Sequence, residues 1–169
     1  GQRPFSYTPP TGYVRLNTYN LPDSTIVKGN TAMNAIGYTG NGSTQTVTGL
    51  SFASGMLWIK DRSAITNHQV NDEVRGVGRE LQPDATSAET NNNIVTAFNS
   101  NGFSISSNGN VNANGNSYVA WSWKANGAGS SNTSGTITST VSVNATAGFS
   151  VVTYTGTGAN ATVGHGLGV

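Results

Sequence analysis

His68 stands in Asn67-His68-Gln69, four and five residues before Asp72 and Glu73. An imidazole with two carboxylates is a set that could hold a metal ion. The spacing matches no specific site, and one imidazole is a thin basis for one. Asp61, Asp72, Glu73, Glu80, Asp84 and Glu89 fall within thirty residues. Paired carboxylates of this kind could do acid–base work on a glycosidic bond. Arg62, Arg75 and Arg79 share the stretch, and guanidinium forks suit carboxylates, so mutual pairing is the expectation. His165 lies between Gly164 and Gly166 in a turn-like segment. No serine sits in a nucleophile-elbow pattern. Gly40-x-Gly42 and Gly164-x-Gly166 lack the helix and lysine of a phosphate loop. The expectation is therefore no catalytic residue, no cofactor and no metal, hence no enzyme.

Two other residue classes could meet a ligand. Trp58, Trp121 and Trp123 carry amphipathic rings that can stack on sugars. Packing in a core is the expected role, with Leu57, Ile59 and Val119 nearby. The asparagine-rich loops at 91–93 and 108–116 offer donors and acceptors to hydroxyl-rich ligands. Asn92, Asn110 and Asn112 are the candidates there, and tight turns require the same residue type.

The elements that must position these groups read as β. Gly, Ser, Thr and Asn dominate, while Trp, Tyr, Phe, Val and Ile recur at short intervals. Small polar residues around regular β-formers favour many short strands and tight turns. Five Asn-Gly pairs, at 41, 101, 108, 114 and 126, suit turns that need positive φ. Phe103 and Ile105 alternate with serines, as do Val119, Trp121 and Trp123 with small or polar residues. Ile137, Val141 and Val143 share one face. Met56-Leu57-Trp58-Ile59 reads as a strand buried on both faces, and Phe149–Tyr154 is similar. Asn71–Leu81 could hold a short helical turn, with Gly76 and Gly78 against a long one.

Only 9% of residues are charged and the formal net charge is +1, so neither nucleic acid nor an anionic membrane is indicated. With no cysteine, disulfides and thiolate metal sites are excluded. The opening Gly1-Gln2-Arg3-Pro4 resembles neither a signal peptide nor an initiator, as in a processed chain.

Tyr38–Leu50 returns as Tyr154–Leu167 with one residue inserted. Repetition of a β-rich stretch 116 positions later points to a modular chain. Four segments follow: an extended arm over 1–31 with a short strand near Tyr13–Leu16, a β-sandwich over 32–124, a Gly/Ser/Asn linker over 125–135, and the start of a second, truncated unit over 136–169. The expected fold is all-β, a jelly-roll or concanavalin-like sandwich. A lone hairpin is marginal in water, so Phe149, Val151, Val163 and Leu167 should lie against another chain or the rest of their own unit.

Three stretches resemble virion proteins of tailed bacteriophages, especially marine and cyanobacterial ones. Gly1–Tyr13, followed by Leu16-Asn17-Thr18 and Asn20-Leu21-Pro22, is similar to the closing segment of a SPRY-like sandwich. Leu57–Ser63, His68 and Val74-Arg75-Gly76 resemble a phage repeat domain that follows it, with Asn112–Ala125 as its closing strand. Phe149–Leu167 resembles the opening of a second copy. The resemblance implies a virion location, in a fibre, spike or capsid decoration. It also implies other virion proteins as partners, a homo-oligomer, and contact with host-surface glycan. The family carries no catalytic residues to transfer. The competing expectation is a glycan-binding sandwich of an adhesin, which exposed tryptophans on one face would favour.

Overall fold

The computed structural model describes residues 8–13 and 24–168. The arm's expected strand near Tyr13–Leu16 falls mostly outside them, as does much of the segment resembling a SPRY-like end. Within the described residues the chain is all-β, with several antiparallel sheets, a single 3-10 turn at Gly29–Thr31 and one α-helix of four residues.

Chain order runs β1 (Met33–Thr39), β2 (Gln45–Thr48), β3 (Met56–Asp61), β4 (Gln69–Asp72), β5 (Arg79–Glu80), β6 (Thr90–Asn91), β7 (Val95–Asn99), β8 (Gly102–Ile105), α1 (Gly109–Asn112), β9 (Ser117–Trp123), β10 (Ser130–Asn132), β11 (Ser139–Asn144) and β12 (Phe149–Tyr154). The first layer is the sheet β1-β9-β3-β4, and the second is β2-β8-β7. Strands β5 and β6 pair beside β4, and β10-β11-β12 form a third sheet.

The core lies between the first two layers. Leu57 and Ile59 of β3 and Tyr118 and Ala120 of β9 meet Val47, Val95, Phe103 and Ile105 from the opposite sheet. Fully burying side chains of this size stabilises by roughly 1.5–3 kcal/mol each. Ile94 and Val111 belong to the same buried cluster. Tyr38 and Tyr118 stack at 5.1 Å between centroids and 13° between planes. Their hydroxyls donate to the carbonyls of Val111 and Gly109, each at 2.8 Å, which ties α1 to the sheet. Gly102 is dictated by packing, because a Cβ there would collide with the Val47 carbonyl oxygen across the β2–β8 ladder.

Two sequence expectations are corrected here. Strand β3 alternates rather than being buried on both faces: Leu57, Ile59 and Asp61 point inward, and Met56, Trp58 and Lys60 are half-buried on the outer face. The stretch 125–135 is not a free linker. Ala125 is buried, and Ser130–Asn132 form a strand paired with Val141–Ser139. Short polar side chains suffice there, because Gly129 lets β10 approach the Val141 backbone closely.

Candidate functional site: the outer tryptophan face

The three tryptophans do not enter the core. Strand β9 reads Ser-Tyr-Val-Ala-Trp-Ser-Trp, and its inward set is Tyr118, Ala120 and Ser122. A strand's period of two gives the sequence two choices of face, and the neighbours decide. Ala120 lies between Ile36 of β1 and Ile59 of β3, and Ser122 sits beside Leu57. Small residues fit between large ones. The inward hydroxyl of Ser122 is satisfied by donating to Ser54 Oγ at 2.7 Å. Tryptophan in those rows would overfill the layer.

Trp121 therefore lies opposite Trp58 on the outer face, and Trp123 opposite Met56. Trp58 and Trp121 meet edge to face, with centroids 6.4 Å apart. The Trp58 indole N–H donates to His68 Nδ1 at 2.8 Å. That bond leaves the proton of a neutral imidazole on Nε2. The His68 backbone N–H donates to the Asp84 carboxylate at 3.0 and 3.2 Å, which anchors the main chain at His68. Trp58, His68, Trp121 and Trp123 line an outer depression of 280 Å³. Phe149 of β12 stacks on Trp123 at 6.1 Å, so the second unit closes one end of the face.

Asp61, Asp72, Glu80 and Glu89 are occupied elsewhere. Asp61 is buried and accepts from the backbone N–H groups of Ser63 (2.7 Å) and Ala64 (3.1 Å), and from Asn116 Nδ2 (2.9 Å). Burial opposes its charge. The hydrogen bonds from Asn116, Ser63 and Ala64 together outweigh that and hold its carboxyl below the ordinary value. Arg75 Nε pairs with Asp72 Oδ2 at 2.6 Å, and Arg75 Nη1 reaches Glu89 at 3.3 Å. Arg79 joins Glu89 at 3.2 Å. The arginine–carboxylate pairing expected from sequence is present, at a hydrogen-bonded turn where Gly76 N–H donates to the Asp72 carbonyl. Glu80 is fully buried and accepts from Thr90 Oγ1 and Asn92 Nδ2. Among the described residues, no three His, Cys, Asp or Glu side chains converge as a metal set.

Of the six residues singled out as a ligand or interface surface, only Phe149 joins the tryptophan face. Asn112 is corrected outright. It is fully buried, its Nδ2 donates to the carbonyls of Ser43 and Ser106, and its Oδ1 accepts from Asn41 N–H. A saturated, buried amide stitches loops together and meets no ligand. Asn110 is half-buried in α1, and Asn92 is held by Glu80. Val163 bridges Ile137, and half-buried Leu167 donates its N–H to His165 Nδ1 at 3.1 Å. Sequence reading missed Asn116 as the partner of Asp61 and His68 as the partner of Trp58, since both contacts join separate segments.

One protein-family model matches residues 28–169, described as a domain of unknown function (DUF7483). The match covers most of the chain, which therefore belongs to that family, and it runs across the stretch expected as a linker. No curated protein and no solved structure matches.

Proposed function

We propose that the chain is a structural β module of a tailed-phage particle, set in a fibre, spike or capsid decoration. Its partners would be other virion proteins and other units of the same repeat. The resemblance of the 57–76 and 112–125 segments to phage repeat domains supports the particle assignment. The observation that carries the modular part is the relation of β12 to β1. Phe149–Tyr154 repeats the Met33–Tyr38 position 116 residues later, and both are strands. The reading assigns no catalytic residue and no cofactor. Antibody raised against the intact chain should label particles at regular positions in electron micrographs. Labelling confined to debris would count against it.

The outward tryptophans favour a second reading, a glycan-binding module at a fibre tip or in an adhesin. Trp58 and Trp121 sit side by side on the sheet, and the hydrogen bond to His68 holds the Trp58 ring in place. Such fixed amphipathic rings suit a neutral pyranose face. A panel of hexose and N-acetylhexosamine oligosaccharides, titrated against tryptophan emission, tests it. Saturable change in the natural chain that disappears in Trp121→Ala supports this reading. No change with any sugar removes it.

A further inference from the structure

Glu80 of β5 is fully buried, and among the described residues no cationic side chain pairs with it. Arg75 and Arg79, the nearest arginines in sequence, are committed to Asp72 and Glu89. Burying an ionised carboxylate is costly, and buried charges are found paired or coordinated to a metal. The hydrogen bonds of Glu80 satisfy one oxygen only. Thr90 Oγ1 and Asn92 Nδ2 both donate to Oε1. Oε2 is buried and has no hydrogen-bond partner among the described residues.

Two more unsatisfied oxygens share its face. Gln69 and Asn71 of β4 are fully buried and stand opposite Ile59 and Leu57, so both point inward. Val70 is bridged to Leu81, and that antiparallel register sets Asn71 directly opposite Glu80. Residues so opposed have Cβ atoms about 4.5–5.5 Å apart. The amide nitrogens fix which way each side chain is turned. Gln69 Nε2 donates to the Asn67 carbonyl at 3.0 Å, and Asn71 Nδ2 to the Arg79 carbonyl at 2.6 Å. Gln69 Oε1 and Asn71 Oδ1 are left as buried acceptors with no donor among the described residues. Buried polar atoms are nearly always satisfied, and three exceptions on neighbouring positions of one face need a common cause. A water offers two protons and no charge, so it would leave one oxygen and the carboxylate charge unanswered.

We propose that Gln69 Oε1, Asn71 Oδ1 and Glu80 Oε2 form a calcium site at the β4–β5 margin of the core. Carboxylate and amide carbonyl oxygens are the ligands calcium takes, in flexible geometry. A set with no imidazole or thiolate disfavours zinc and copper. Two of the three oxygens come from amides, so no cluster of acidic or histidine side chains marks the place. A single carboxylate gives weak binding, with a dissociation constant of about 10⁻⁴–10⁻³ M. Thr90 and Asn92, which hold the other Glu80 oxygen, are exposed, so water ligands can complete the shell from that side. The ion would tie β4, β5 and the 90–92 segment into one unit. Binding here requires neither a particle nor a sugar partner.

The test follows thermal unfolding of the intact chain, stripped with chelator and then titrated with calcium chloride. Sodium chloride holds the ionic strength constant. The midpoint should rise by about 3 °C or more at about 10 mM calcium. Magnesium dehydrates reluctantly and should give less than about half that shift. Glu80→Gln keeps the shape and an acceptor for Thr90 but removes the charge. It should abolish the rise, and its midpoint in chelator should be no lower than that of the natural chain. Asp84→Asn removes an exposed carboxylate and should keep the rise. Gln69→Met has a similar length, lacks one ligand oxygen, and should weaken calcium about tenfold or more in titration calorimetry. No calcium response in the natural chain, an equal response to magnesium, or a response that survives Glu80→Gln or Gln69→Met unchanged would each overturn the site.

Discussion

Trp58 and His68 are joined edge to face, their centroids 5.7 Å apart, with the indole N–H donated to His68 Nδ1 at 2.8 Å. The contact links β3 to the start of β4 on the outer side of the sheet. It places a rigid aromatic ring where the sequence pattern expected a core residue. Trp58→Phe keeps the ring and removes the donor, and should lower stability by about 1 kcal/mol, the net worth of one hydrogen bond. Urea unfolding measures it, and an unchanged midpoint would show that the bond contributes nothing.

The placement of the tryptophans also predicts an order of mutational effects. Phe103 is fully buried, whereas Trp121 is half-buried on the outer face. Phe103→Ala should cost about 3–5 kcal/mol. Trp121→Ala should cost less than half as much despite removing a larger side chain. Equal losses in denaturant unfolding would return Trp121 to the core.

Arg75 and Arg79 should differ sharply although both reach Glu89. Arg75 and Asp72 have side chains only 11% and 6% exposed. Removing one member of a buried pair strands the other charge, so Arg75→Ala should destabilise by about 3–5 kcal/mol. Lysine lacks the planar fork and should not restore it. Arg79 is 49% exposed, and Arg79→Ala should change stability by no more than about 1 kcal/mol. A thermal scan of the three variants decides, and comparable shifts for both alanine variants would contradict the account.

Asp61 predicts an acid limit. Its carboxyl is held below the ordinary value of 3.8 in the folded chain. A group whose pKa is lowered on folding adds stability above its unfolded pKa, and that stability is lost as pH falls through the folded one. The Asp61 contribution should thus be intact near neutrality and decline below about pH 4. Comparing the natural chain with Asp61→Asn across pH 2–7 should show their stabilities converging at the acid end. Parallel curves over the whole range would exclude the effect.

The all-β class was legible in the chain because Asn-Gly turns and alternating strands are local signals. Gly42, Gly115 and Gly127 adopt positive φ as that reading requires, whereas Gly102 lies in β8 and Gly109 opens α1. The facing of β9 was not legible. Either alternate set, Trp-rich or Tyr/Ala/Ser, could have turned inward. The choice follows from Ile36 and Ile59, which flank Ala120 across the ladders. Asn112 could not be told from a loop asparagine, because its partners at 41, 43 and 106 are distant in sequence. Strand β10 was missed because Ser130–Asn132 carry no apolar signal and are ordered by pairing with β11.

The proposed function makes the chain a built-in part of a particle. The most direct test is density-gradient separation of particles from the source lysate, with peptides of the chain quantified by mass spectrometry against the main coat protein. The account predicts a constant ratio across the particle peak that survives high-salt washing. A chain that stays in the soluble fraction, or whose ratio falls with each wash, would contradict it.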